Sequence, residues 1–565
     1  MKKFWKKYKW EIISGLGIFV FALFFRLYNL TILPIFGDEA IYIRWSQLMR
    51  AEPGLRFVPL SDGKQPLFMW IVIPFLKIIH NPLIAARVVS VFTGIGSLIG
   101  VFVLTYILFN RSHSELVSES KDEKILNQVQ DDKKKVQTAL LASLIYAISP
   151  FSVFFDRLAL ADSLLSMFGI WTLIFSIITV QKIRLDTAIL SGFSLGGALL
   201  TKSPATFFAV LIPLTLILSD WPKTFKKRFN HVSVYVFLFT FIYAIGFTMY
   251  NILRLGVNFQ MIAIRNKDYV FPIIRMLQSP FDPLIPHSKD ILNYFWLMGP
   301  SVLVLLMLVG IYLGWKLFRK ETFILLAWGF LPILAVAEFS KTMTARYIYF
   351  SLPYLFVLSA LAFSFIIKEK VTCAKLIHPS GGFLFLLSPL VRILFVAFVI
   401  HAIVLDYQLL TNPQSVNLPR SERSGYLEEW TSGYGIKEVS EYLREQSKDL
   451  PAGRQVVVGT EGYFGTLPDG LQVYLNEVPE ITVIGVGIDI MELPKSLVES
   501  RDAGNRTYLV INSSRLLADS EDLDLNLIAV YPKAFRKPGT REYNTLGPRE
   551  SLYLFEIKEV INQNN

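Results

Sequence analysis

Eleven apolar segments dominate this chain, at 11–29, 83–110, 138–156, 163–180, 187–201, 203–219, 232–251, 294–317, 322–339, 346–367 and 383–405. A helix needs roughly 20 apolar residues to cross a bilayer, and most of these segments approach or exceed that length. Continuous apolar runs, rather than alternating ones, select helices. The expected fold class is a polytopic α-helical membrane protein with about eleven transmembrane helices, counted from the segments at that crossing length.

Composition narrows the function classes. With 53% hydrophobic and only 18% charged residues, lipid is the chain's natural solvent. A formal charge of +11 would suit nucleic acid, but the Lys and Arg residues fall mostly in short loops between apolar segments. The positive-inside rule already accounts for them there, so no nucleic-acid partner is expected. One cysteine, Cys373, excludes an intrachain disulfide and any cysteine-based metal cluster.

Lys2, Lys3, Lys6, Lys7 and Lys9 precede the first apolar run, and no small-residue cleavage site follows it. This predicts a retained first span with its N-terminus in the cytoplasm, in the cytoplasmic (inner) membrane. An odd number of spans then puts the C-terminus outside. Lys182 and Arg184, the 223–228 cluster, Lys316, Arg319 and Lys320, and Lys368, Lys370 and Lys375 all fall on the cytoplasmic side. Two long loops, 30–82 and 251–293, fall outside. Within the first, Gln65 to His80 is apolar but short and holds Pro66 and Pro74, which suits a helix lying along the outer interface better than a crossing.

Residues 111–135 are polar and charge-mixed with no apolar stripe, and read as a disordered cytoplasmic insert. After Asp406 the pattern becomes globular. Ile436 to Gln446 has helical spacing, and Gln455 to Gly459, Thr507 to Ile511 and Leu552 to Ile557 are strand-like runs. The run 450–455 reads as a turn. Two domains are expected: 1–406 in the membrane, and an extracytoplasmic α/β domain over 407–565.

Charged residues collect at the outer boundary of this topology: Asp38 and Glu39 past the first span, Lys64 before Gln65-Pro66, Arg87, Arg157 and Asp162 in RLALAD, Lys202 in TKSP, and Arg346 in TARY. Ionisable groups at membrane depth are costly and mark functional sites by default.

The stretches that carry these residues are FRLYNLTILPIFGDEAIYIR at 25–44, the segments 64–94 and 139–165, SGFSLGGALLTKSP at 191–204, and TARYIYFSLPYLFVLSALA at 344–362. In that order they resemble the C-type (GT-C) glycosyltransferases, specifically the protein O-mannosyltransferases and the aminoarabinose transferases that modify lipid A. The resemblance implies transfer of a sugar from a polyprenyl-phosphate carrier to an acceptor outside the cytoplasmic membrane. Protein, lipid and surface glycan are all compatible acceptors, and membrane lipids are the other partners.

On that resemblance Asp38 is the general base, and Glu39 orients it or binds acceptor. Lys64, Lys202 and Arg346, with Arg87 and Arg157 behind them, clamp the lipid phosphate. Asp162 holds the acceptor or a divalent cation. Metal dependence stays open, and no other cofactor is implied. The chain departs from the family at Gln65-Pro66, where relatives often carry Pro-Pro, and by its insert at 111–135. The stretch 460–475 looks like outer domains on some bacterial members, with acceptor recognition or partner docking as its role. The rival reading is a transporter or flippase of lipid-linked sugars, for which the sequence lacks a clear internal repeat.

Overall fold

The computed structural model describes residues 2–109, 121–299, 301–372, 381–451 and 453–558. Each apolar segment is helical, and the chain is a helical membrane protein. Among the described residues six helices are long and apolar enough to cross a bilayer: Tyr8–Leu27, Pro82–Leu108, Ala161–Lys182, Phe225–Leu255, Arg319–Phe339 and Pro389–Thr411. A seventh span arises if Leu284–Met298 and Ser301–Leu317, bent by 107° to each other, count as one.

The remaining expected spans are shorter or broken, and proline explains two of them. Segment 138–156 divides into Lys121–Ile148 and Pro150–Phe155, where Pro150 lacks the N–H that would continue the ladder. Segment 203–219 is a chain of short turns around Pro204 and Pro213. Segment 187–201 forms Leu185–Thr201, 17 residues long. The short apolar stretch expected before His80 is the helix Leu67–Ile78.

Residues 121–135 differ from expectation, forming the first half of helix Lys121–Ile148 rather than a disordered insert. Their Lys, Glu, Gln and Leu residues are good helix formers, and the apolar half that follows supplies the nucleus they lack alone. Residues 111–120 of that insert, and Cys373, lie outside the described residues.

Two compact units emerge. The first comprises Met1–Tyr28, Phe57–Phe68 and Val88–Thr411; the second comprises Asn29–Arg56, Met69–Arg87 and Asn412–Asn565. The loop after the first span therefore belongs, with its Asp38 and Glu39, to the unit that holds the C-terminal sheet.

That sheet has five strands: β1 (Val456–Glu461), β2 (Ile481–Gly487), β3 (Arg506–Asn512), β4 (Leu525–Phe535) and β5 (Arg549–Ile557), in the order β2-β1-β3-β5-β4. β1 pairs in parallel with β2 and β3, while β5 runs antiparallel to β3 and β4. Val457, Leu509, Ile511, Phe555 and Ile557 pack on one face with Leu497, and Val456, Val458, Tyr508, Val510 and Leu554 are buried on the other. Burial on both faces is what parallel strands require. Helices Ile436–Lys448 and Thr466–Leu475 cover the second face.

Candidate functional site

In the first unit the described residues place Lys202, Asp162 and Arg346 together. Helix Leu185–Thr201 ends at Lys202, whose extended backbone turns the side chain out of the helix. Its Nζ donates to Asp162 Oδ1 at 2.6 Å, with the lysine a quarter exposed and the aspartate 4% exposed. The ammonium lies 5.5 Å from the Tyr347 ring centre, and the Arg346 guanidinium 5.6 Å from the same ring. Gln65 Nε2 donates to Ser203 Oγ at 2.9 Å, which ties the Lys64 segment to the residue after Lys202. Lys64 itself sits 4.9 Å from the Tyr269 ring.

An ammonium carries three N–H donors, of which Asp162 takes one. Two cations lie 5.5 and 5.6 Å from the centre of one aromatic ring at a half-buried position, where low polarity strengthens their pull on an anion. The same arrangement is a poor divalent-cation site. Asp162 already holds a cation, and no group of three or more His, Cys, Asp or Glu stands at metal-holding distance among the described residues.

Arg157 Nη1 donates to the carbonyls of Phe25, Arg26 and Tyr28 at 2.8, 3.2 and 2.7 Å, closing the C-terminal end of the first helix, where cations are favoured.

Beside it lies a polar knot that the sequence reading did not single out. The Asp156 carboxylate is fully buried and accepts four hydrogen bonds: Arg26 Nε at 2.9 Å and Tyr146 Oη at 3.0 Å on Oδ2, Tyr349 Oη at 2.6 Å and Ser163 Oγ at 2.8 Å on Oδ1. Arg26 in turn donates to the carbonyls of Ala22, Ala147 and Tyr146. A buried charge pair survives only when its remaining donors and acceptors are met, and these bonds engage all three Arg26 nitrogens and both Asp156 oxygens. The knot fixes four helix ends around the turn that carries Arg157 and Asp162. Gly94 packs against it, and any Cβ there would collide with the Asp156 carboxylate.

In the second unit Asp38 and Glu39 occupy the first turn of helix Gly37–Ala51, where carboxylates complement the helix dipole. Asp38 is half-buried. Glu39 is fully buried, accepts the Phe36 N–H at 3.0 Å, and forms a bidentate pair with Arg87, Nε to Oε1 at 2.8 Å and Nη2 to Oε2 at 2.7 Å. Arg87 gives its other N–H groups to the carbonyls of Leu30, Leu33 and Pro34. All five guanidinium donors are thus used. Arg87 has none left for a phosphate, and the pair instead folds the 30–39 loop that presents Asp38.

The same helix packs on helix Thr466–Leu475 through Arg44 to Gln472 and Asn476, at 3.1 and 2.6 Å, and Gln47 Nε2 to Val473 O at 2.9 Å. Burial pushes the Asp469 carboxyl on that second helix up to about 6, against the Gly465 N–H it accepts.

Residues 133–245 match the model of the dolichyl-phosphate-mannose-protein mannosyltransferase family. None of the curated proteins matches the sequence. Among solved structures, ArnT from Cupriavidus metallidurans bound to undecaprenyl phosphate is similar at 13% identity and a TM-score of 0.54, covering 98% of this chain and 99% of that one. Its apo form is similar at 12% identity and a TM-score of 0.51, covering 96% and 97%. AglB from Archaeoglobus fulgidus, an archaeal oligosaccharyltransferase, is similar at 11% identity and a TM-score of 0.48 over 90% of this chain and 70% of that one. The chain has the fold of ArnT, and its segment 133–245 matches the sequence pattern of the dolichyl-phosphate-mannose-protein mannosyltransferase family.

Proposed function

We propose that this protein is a membrane glycosyltransferase that moves a hexosyl or pentosyl group from a polyprenyl phosphate to an extracytoplasmic protein, lipid or glycan acceptor. The observation that carries the reading is the pair of cations on the Tyr347 ring, Lys202 and Arg346. A half-buried cation pair at a helix break suits a lipid phosphate, and ArnT, whose fold this chain has, was solved with undecaprenyl phosphate bound. The remaining outer apolar segments complete about eleven crossings at bilayer length. The N-terminus is cytoplasmic, and the sheet, in a domain beginning at 407, is extracytoplasmic.

The acceptor oxygen attacks the anomeric carbon, the bond from that carbon to the phosphate oxygen breaks, and polyprenyl phosphate leaves with the electron pair. Asp38 takes the acceptor's proton as general base. Lys202, Arg346 and Lys64 stabilise the charge that grows on the leaving phosphate. Asp162 orients Lys202, while Glu39 and Arg87 hold the loop of Asp38 and Arg157 closes the first helix. No step is routed through a metal.

Lys202→Gln tests the phosphate assignment. Losing one charged hydrogen bond, worth roughly 1.5–3 kcal/mol, should raise the donor KM about ten-fold or more and leave the acceptor KM unchanged. Lys64→Gln should act in the same direction. Titrating donor and acceptor separately decides the matter, and a shift confined to the acceptor would remove both lysines from the phosphate.

A further inference from the structure

We infer that Lys533, on the edge strand of the C-terminal sheet, and Arg536, at that strand's end, are positioning residues that hold the backbone carrying Asp38. The inference rests on the catalytic reading of Asp38. It gives the C-terminal sheet a part in the transfer reaction.

Lys533 lies on β4 and Arg536 directly follows its last residue; the two are 1% and 2% exposed and point at one segment, Glu429 to Ser432. Lys533 Nζ donates to the carbonyls of Glu429 and Ser432 at 3.1 and 2.8 Å. Arg536 grips the Glu429 carboxylate with Nε and Nη2, both at 2.8 Å, and reaches Glu550 Oε2 at 2.6 Å. The segment so fixed runs along the start of helix Gly37–Ala51. Ser432 forms an antiparallel bridge with Phe36, and the Gly37 N–H donates to Thr431 O at 3.1 Å. The Phe36 and Tyr426 rings pack with centroids 4.3 Å apart and planes tilted by 39°. Gly433 lies so close to the Ile35 carbonyl that a Cβ would overlap it.

Two buried cations are costly to place inside a small domain, and packing alone would be served by apolar residues. Spending both on one loop is explained if the loop's position matters. The residue after Gly37 is Asp38, so a displaced 429–433 segment displaces the proposed base. The Glu39–Arg87 pair holds the same loop from its other end.

The test uses the full chain in detergent with Lys533→Met and Arg536→Gln. Amide hydrogen exchange of residues 35–38 should quicken about ten-fold or more, while amides in β1 and β3 keep their protection. In sugar transfer, kcat should fall about ten-fold or more with the donor KM unchanged, as expected for a misplaced base. Where a variant loses protection in β1 and β3 it has unfolded, and Gly433→Ala, which pushes on Ile35 without removing a charge, decides by the same two readings. Unchanged exchange at 35–38 in a folded variant overturns the inference, and so does quickened exchange with normal kcat. A wild-type chain that transfers no sugar overturns the proposed function instead, which the exchange reading, needing no substrate, keeps separate.

Discussion

Asp38→Asn is expected to slow sugar transfer by about 10²-fold or more while leaving the protein folded, since it keeps the shape of the side chain and removes its basicity. The helix that carries Asp38 is held by Glu39 on the Phe36 N–H and Arg87 and by Thr431 on the Gly37 N–H, all of which Asp38→Asn retains. The substitution should therefore leave unfolding and donor binding as in the wild type. Turnover measured under saturating donor checks it, and a near-normal rate removes Asp38 from the chemistry.

The largest loss of stability is expected at Asp156. Asp156→Ala strands the fully buried Arg26 guanidinium and frees two tyrosine hydroxyls. Breaking a buried pair from one side costs about 3–5 kcal/mol. Gly94→Ala attacks the same carboxylate sterically, and overpacking of this kind costs about 1–3 kcal/mol. Thermal unfolding of the purified chain should fall in that order, Asp156→Ala below Gly94→Ala below wild type. An Asp156→Ala protein as stable as the wild type would mean that the knot does not hold the helix ends.

What the sequence made legible, and what it hid, follows from the range of the interactions. Apolar runs are local, so the helices from Pro82, Ala161 and Arg319 begin within a few residues of expectation. Strands β1, β3 and β5 were equally plain. β4 was not, because Pro532 interrupts its pattern; proline is tolerated at a sheet edge, which is where β4 lies. β2 was hidden by Gly485 and Gly487 within a short apolar run.

Among the site residues, charge type and position were visible while pairing was not. Glu39 and Arg87 are 48 residues apart, and Arg26 and Asp156 are 130 apart; nothing local in the sequence links them. A signal for the second pair did exist, in that an Arg and an Asp each interrupt an apolar run. Lys202 and Asp162, 40 residues apart, were named separately, and the structure joins them.

The central claim is that a sugar changes covalent partner. The most direct measurement places the purified chain in proteoliposomes with a radiolabelled sugar on a synthetic polyprenyl phosphate and supplies membrane extract as acceptor. The account predicts label on the acceptor, release of unlabelled polyprenyl phosphate in equal amount, and loss of both with Asp38→Asn. Label that stays on the carrier and only changes leaflet would contradict it, and would make the protein a flippase.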